Sequence, residues 1–264
     1  MAFSPLFYFF TLFTLAINSS NAQVSVIESQ TKRQVSKFDN STKYIYLTFD
    51  DGPLLGTSNC IDICTHQQAQ ATFFEVGLHQ ERAAFGKGLY ERIIQNQSLF
   101  ALGNHSYSHA NNKYLYYYHH PDMAFHDFLK SKSTLKLENN IVRLPGNNAW
   151  NTTVLKKSSS LVTPLVHKLD SASFNVIGWD VEWRFNKKGF PIGSPQKMAN
   201  RVDAAFASNH TSTKNHLVIL MHDHMFCSPG DSLKLANLIG LLKTNPNYAF
   251  RKITQYPGLI NGGR

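Results

Sequence analysis

Two adjacent acids, Asp50 and Asp51, end an apolar stretch at residues 44–49 and are followed by Gly52-Pro53. The alternation of aromatic and aliphatic residues predicts a buried strand, and Gly-Pro predicts a turn directly after the acids. Carboxylates at the carboxyl end of a strand are where barrels and open α/β enzymes place their chemistry. An isolated Asp-Asp-Gly-Pro is more often a loop with solvated acids, so the interpretation depends on residues further along the chain.

The second chemical signal is a pair of histidines, His105 and His109, four residues apart and just after a predicted strand at residues 98–103. This spacing predicts that both imidazoles lie on one face of a helical turn, where they can reach one metal ion. The pair alone is a weak signal. Together with an Asp at another strand end, it predicts two nitrogens and one oxygen, an open three-ligand site for zinc or a similar ion with room for water.

The elements that must position these groups alternate along the chain. After the strand that ends at Asp50, the pattern predicts a helix at 60–70, a strand at 71–77, a helix at 80–97 and the strand at 98–103. Alternating strands and helices predict an α/β fold with a mainly parallel sheet or barrel.

The first 22 residues carry no charged side chain and contain an apolar run from Pro5 to Ile17. The run is shorter than the roughly 20 residues of a membrane span, and polar residues ending in Ser-x-Ala follow it. We therefore predict a signal peptide at 1–22, although its start lacks the usual positive charge, and export to the periplasm or the extracellular space. Residues 23–42 are predicted to be a polar lead-in, and residues 43–264 one domain.

Charge and cysteine content limit the partners. The formal charge of +9 suits an anionic cell-envelope polymer or nucleic acid. Because the basic residues are scattered, we predict no nucleic-acid partner. We also predict a monomer without a stable membrane span. Three cysteines (Cys60, Cys64 and Cys227) allow at most one disulfide in an exported protein, and their pairing stays open.

Several stretches resemble, in order and spacing, the motifs of the polysaccharide deacetylase family, also called the NodB-homology domain or carbohydrate esterase family four. They are Thr-Phe-Asp-Asp-Gly-Pro at 48–53, Ala-Thr-Phe-Phe at 71–74 and Gly-Asn-His-Ser-Tyr-Ser-His at 103–109. Arg-Leu-Pro-Gly at 143–146 partly resembles the third motif, with Leu where an aromatic residue or Pro is common. Residues 177–183 resemble the fourth motif of the family, and residues 217–223 resemble its closing motif.

The resemblance implies a distorted, incomplete (β/α) barrel of about seven parallel strands. It also implies that Asp51, His105 and His109 hold Zn²⁺, or another divalent ion such as Co²⁺, Ni²⁺ or Mn²⁺. Asp50 would then be the general base, oriented by Arg143.

For the proton donor, the resemblance implies His222, which directly follows an apolar strand, rather than His224. Asp180 or Glu182 would orient His222, and the sequence does not decide between them, although the Asp180 side chain is shorter and stiffer. The implied substrate-binding set is Leu144, Pro145, Gly146, Trp179 and Trp183, with a backbone donor near Leu144–Gly146 for the oxyanion. Aromatic residues at 114–118 could form sugar platforms or pack on the barrel.

The function implied is a metal-dependent hydrolase that removes N-acetyl groups from a polymer containing N-acetylglucosamine, of the peptidoglycan or chitin type, and releases acetate. Three alternatives stay open at this point. One is an O-acetyl esterase on an acetylxylan-type polymer, and the second is a non-catalytic carbohydrate-binding member of the same fold. The third is a zinc amidase or peptidase acting on stem peptides.

Overall fold

A mainly parallel β-sheet forms the centre of the described domain. The computed structural model describes residues 42–82 and 86–260. Its strands are β1 (Lys43–Asp50), β2 (Ala71–Glu75), β3 (Phe100–Asn104), β4 (Ile141–Val142), β5 (Trp150–Asn151), β6 (Lys156–Lys157), β7 (Asn175–Val176), β8 (Val181–Glu182), β9 (His216–His222) and β10 (Tyr248–Phe250).

Helices connect most of these strands. They are α1 (Leu55–His66), α2 (Gly77–Arg82), α3 (Gly86–Gln95), α4 (Tyr114–His119), α5 (Pro121–Thr134), α6 (Thr163–Ser171), α7 (Pro195–Ala207) and α8 (Pro229–Lys243). Short 3₁₀ segments lie at His109–Asn112, Asp223–Phe226 and Ile253–Gln255.

Seven strands pair in parallel in the order β7-β4-β3-β2-β1-β9-β8. Strand β10 adds in parallel to β1, whereas β5 runs antiparallel to both β7 and β6. Strands β7 and β8 end the parallel series and do not pair with each other in the described residues, so the curled sheet stays open. The prediction of an α/β, incomplete barrel of about seven parallel strands is confirmed.

Both faces of β1 are buried from Ile45 onward, which explains why most of its residues are apolar. Ile45, Leu47 and Phe49 pack into a large cluster with apolar residues of α1, α7 and α8. Because side chains alternate along a strand, Tyr46, Thr48 and Asp50 share the other face, which is the concave side of the curled sheet. The strand therefore carries its terminal carboxylate on the same side as the interior of the open barrel.

The predicted helices differ from the observed ones at their ends. Helix α1 begins at Leu55 and ends at His66, earlier than the predicted 60–70. The single helix predicted at 80–97 is two helices, α2 and α3, of which the second begins at Gly86. The aromatic stretch forms α4, which buries Tyr117 and Tyr118 in the core, so packing on the barrel is confirmed for these two rings.

The predicted signal peptide at 1–22 and nearly all of the predicted lead-in at 23–42 lie outside the described residues. Among residues 42–82 and 86–260, no helix has the length and hydropathy that crossing a membrane requires. All three cysteines are described and are free thiols: Cys60 and Cys64 are buried in α1, and Cys227 is exposed.

Candidate active site

Polar side chains gather at one edge of the sheet, where the carboxyl ends of β1, β3, β4 and β9 meet. Asp50 is the last residue of β1 and lies in register with His222, the last residue of β9. His105 follows the end of β3, and Arg143 follows the end of β4. Because these strands run parallel within one sheet, residues far apart in the chain reach one site.

Three predicted metal ligands converge at this edge. The Asp51 Oδ1 atom lies 3.0 Å from His109 Nε2 and 3.4 Å from His105 Nε2. The three ligand atoms lie within 4.8 Å of one another. The predicted helical turn between the histidines is wrong, because residues 105–108 form a loop in which Ser106 has a φ of 67°. The histidines converge through this loop and not through helical spacing.

The chemistry of the donor set fits a zinc-like ion. Asp51 Oδ1 is buried and has no hydrogen-bond partner. The Nε2 atoms of His105 and His109 face it. Burial disfavours the charged form, but the neighbouring imidazoles of His105 and His109 outweigh it and hold the pKa of Asp51 well below its usual range. The His105 Nδ1 atom donates to the Arg143 carbonyl at 3.0 Å, which leaves the Nε2 lone pair free for an ion.

Asp50 lies beside this set and is held by Arg143. The Arg143 Nη1 atom donates to Asp50 Oδ1 at 2.7 Å and to Thr48 Oγ1 at 2.7 Å. The fully buried guanidinium also donates to the Ile177 and Gly178 carbonyls, so its position is tightly determined. With Oδ1 occupied, Oδ2 is the oxygen that Asp50 presents to the site, 3.7 Å from His105 Nε2.

His222 ends β9 beside Asp50 and lies in edge contact with Phe185, with 5.0 Å between ring centroids. Its buried Nδ1 atom has no hydrogen-bond partner. The expectation that Asp180 orients His222 is wrong. Both Asp180 carboxylate oxygens are occupied by the backbone N–H groups of Ser212 and Val218, at 2.7 and 2.8 Å.

The alternative acid is Glu182, whose Oε2 atom lies 3.5 Å from Arg184 Nε. Among the described hydrogen bonds none joins Glu182 to His222. The role of Glu182 therefore stays a prediction. His224 is half-buried, and its Nδ1 atom lies 4.0 Å from Asp51 Oδ2, so both histidines of this segment border the site.

The predicted substrate-binding set is only partly accessible. Trp183 is 1% exposed and packs in the core with its Nε1 donating to the Ile192 carbonyl, so its assignment to substrate binding is wrong. The Leu144 side chain is also buried in an apolar cluster, and Pro145 is buried. Gly146 is exposed and Trp179 half-buried, so these two remain open to a ligand.

This chain is similar to known proteins both in sequence and in structure. The sequence profile described as "Polysaccharide deacetylase" matches residues 37–161. The structure is similar to the catalytic domain of a peptidoglycan N-acetylglucosamine deacetylase from Eubacterium rectale, with 26% identity and a TM-score of 0.61, covering 81% of this chain and 89% of that one. Residues 37–161 belong to the polysaccharide deacetylase family. The family predicted from the motifs is thus confirmed, and with it the class of enzyme, a hydrolase.

Two further proteins are similar to this polysaccharide deacetylase family member, one in sequence and one in fold. Protein YheN of Bacillus subtilis (strain 168), named as a candidate polysaccharide deacetylase, is 23% identical over 80% of this chain and 67% of its own length. A carbohydrate esterase family four protein from Streptococcus mutans shares the fold, with 22% identity and a TM-score of 0.61. That match covers 83% of this chain and 90% of the other.

Sequence reasoning missed three residues that shape the site of this family member. Thr48 bridges Arg143 to the Ile219 carbonyl, and a polar residue two positions before Asp50 in an apolar strand was the available signal. His79 Nδ1 donates to the Asp51 carbonyl at 2.7 Å and so supports a residue with a φ of 76°. Phe185 lies beside His222 and His224, and no local pattern marks it.

Behind the site, two fully buried acids, Glu75 and Asp223, meet at Gly52. A Cβ atom on Gly52 would lie 2.6 Å from Asp223 Oδ2 and 2.7 Å from Glu75 Oε1, so only glycine fits between them. Thr57 donates to Asp223, whereas neither carboxylate oxygen of Glu75 accepts a hydrogen bond. Burial raises the pKa of Asp223 to about 7 and that of Glu75 well above its ordinary value, and the charge of Asp223 adds to the second shift.

These acids are expected to make stability fall as pH rises. Their pKa values are about 4 in an unfolded chain and higher in the folded one. The folded state therefore retains protons that the unfolded chain releases, and the contribution of Asp223 to stability is lost as pH rises from about 4 to about 7. Glu75→Gln removes a buried acid whose ionisation the fold disfavours and should be more stable than the unmodified protein at pH 8, by about 1–3 kcal/mol. Thermal unfolding from pH 5 to pH 8 measures this, with exposed Glu138→Gln as control. Lower stability of Glu75→Gln at pH 8 would contradict it.

Proposed function

We propose that this protein is an exported, metal-dependent deacetylase that hydrolyses N-acetyl groups of a polymer containing N-acetylglucosamine, of the peptidoglycan or chitin type. The observation that carries the proposal is the convergence of two carboxylates with distinct partners. Asp51 faces two imidazoles, and Asp50 next to it is held by Arg143. Because a metal site and a free carboxylate lie side by side, one can activate an acyl group while the other accepts a proton.

Asp51, His105 and His109 would hold the ion, for which we propose Zn²⁺ before Co²⁺, Ni²⁺ or Mn²⁺. When bound, such an ion polarises an acyl carbonyl and lowers the pKa of water towards about 7. The residues of the chain supply the proton transfers. Asp50 takes the proton of the attacking water at Oδ2, because Arg143 occupies Oδ1. His222, which ends the neighbouring strand β9, gives a proton to the departing amine nitrogen, and the acyl group leaves as acetate.

Three observations support the choice of polymer and location. The Eubacterium rectale relative is named for peptidoglycan N-acetylglucosamine, and the charge of +9 suits an anionic envelope polymer. The uncharged, apolar segment before Ala22 supports export to the periplasm or the extracellular space.

The proposal is tested by acetate release from chito-oligosaccharides, peptidoglycan and acetylxylan, after chelation and after Zn²⁺ is restored. We expect release only with the ion present and fastest from one of the two N-acetylated substrates. Fastest release from acetylxylan would favour the O-acetyl esterase alternative. Absence of acetate from every substrate, with Zn²⁺ bound and the fold intact, would contradict the reaction and favour a carbohydrate-binding protein.

A further inference from the structure

The chain turns in an unusual way directly after His109, a proposed metal ligand. His109, Ala110, Asn111 and Asn112 all have left-handed backbone conformations, with φ of 49°, 56°, 46° and 58°. None of them is glycine, and a left-handed conformation costs an ordinary residue about 1–2 kcal/mol. Four such residues in succession persist only where the surrounding structure requires them, which makes the segment a candidate for a functional role.

The consequence of this turn is that Tyr114 returns to His109. The two rings meet edge to face, with centroids 5.7 Å apart and an interplanar angle of 87°. The Tyr114 hydroxyl lies 3.4 Å from His109 Nδ1 and donates to Asn112 Oδ1 at 3.5 Å. The ring is half-buried against Gly146, where a Cβ atom would lie 3.4 Å from it. Tyr114 is therefore held on two sides.

We propose that Tyr114 is a positioning residue for the metal site, a role that rests on the metal ligands of the proposed function. Because the hydroxyl proton is directed to Asn112, the hydroxyl oxygen accepts from His109 Nδ1–H. This fixes the ring orientation and keeps the proton off Nε2, the atom that faces Asp51. His105 receives the same support from the Arg143 carbonyl. Each imidazole thus has its own acceptor at Nδ1.

Tyr114→Phe tests this role, since it removes only the hydroxyl and keeps the ring. Tyr116→Phe is the matched control, because Tyr116 lies on the same helix and is 57% exposed. The Zn²⁺ dissociation constant is measured by competition with a chromogenic chelator. We expect it to rise about 10–100-fold in Tyr114→Phe, the usual effect of losing a partner of a metal-ligating histidine, and to stay unchanged in Tyr116→Phe.

Two further measurements separate positioning from packing. Asn112→Gly permits the left-handed backbone but removes the final acceptor, so a smaller rise in the same direction is expected. The absorption bands of the Co²⁺-loaded protein should shift in Tyr114→Phe and not in Tyr116→Phe. A Zn²⁺ dissociation constant for Tyr114→Phe no more than about twofold above that of the unmodified protein would overturn the proposal and leave the ring contact as the only role of Tyr114. Because Zn²⁺ binding is measured without substrate, failure of the proposed reaction would be seen separately.

Discussion

Asp50→Asn is expected to lower the rate of acetate release by about 10²–10⁴-fold, the usual contribution of a general base. The amide keeps the shape of the carboxylate and can still accept from Arg143 through its oxygen, but it cannot take a proton from water. Because Asp50 is not among the three residues that converge on the proposed ion, the variant should keep its Zn²⁺. The rate is measured on the substrate that the unmodified protein cleaves best, together with Zn²⁺ content.

A matched control for this variant is Asp62→Asn, which changes an exposed acid on α1 that pairs with Arg92. It should leave the rate unchanged. Since the Asp50→Asn substitution leaves the buried guanidinium of Arg143 without a full counter-charge, thermal unfolding has to be compared as well. Folded, zinc-loaded Asp50→Asn that releases acetate at nearly the unmodified rate would remove Asp50 from the role of base.

His105→Ala is expected to lose bound metal and activity together. The substitution removes one of three proposed ligands, and the remaining Asp51 and His109 cannot enclose the ion alone. His105 is 2% exposed, so truncation also leaves a cavity beneath the site. His105→Gln fills more of that space and separates loss of metal from loss of fold. Zn²⁺ content after dialysis and acetate release are the two measurements.

For comparison, His167→Ala changes an exposed histidine on α6 and should keep both metal and activity. A folded His105→Ala protein that holds one Zn²⁺ per chain would show that His105 is not a ligand. Loss of activity with full zinc content would instead assign His105 to the substrate. In either case the ligand set of the proposed function would have to change.

The family, the fold class and most residues of the site could be predicted from the sequence. Alternating apolar residues before Asp50 predicted β1, and parallel strands necessarily bring their carboxyl ends to one edge. The proposed ligands Asp51, His105 and His109 were singled out by their places after predicted strands, by the four-residue spacing of the histidines and by the family resemblance. These signals are local, and the burial of β1 on both faces makes its pattern strong.

Features that depend on contacts between distant segments became visible only in the folded chain. The pairing of β8 with β9 buries Trp183 and directs Asp180 to the backbone of residues 212 and 218, which no pattern within 177–183 reveals. The loop at 105–108 replaces the expected helical turn, because the chain leaves β3 in a conformation that only its surroundings stabilise. Phe185 and Tyr114 reach the site for the same reason. Their positions follow from strand register and a left-handed turn, whose energies arise from packing across the whole domain and not from neighbouring residues.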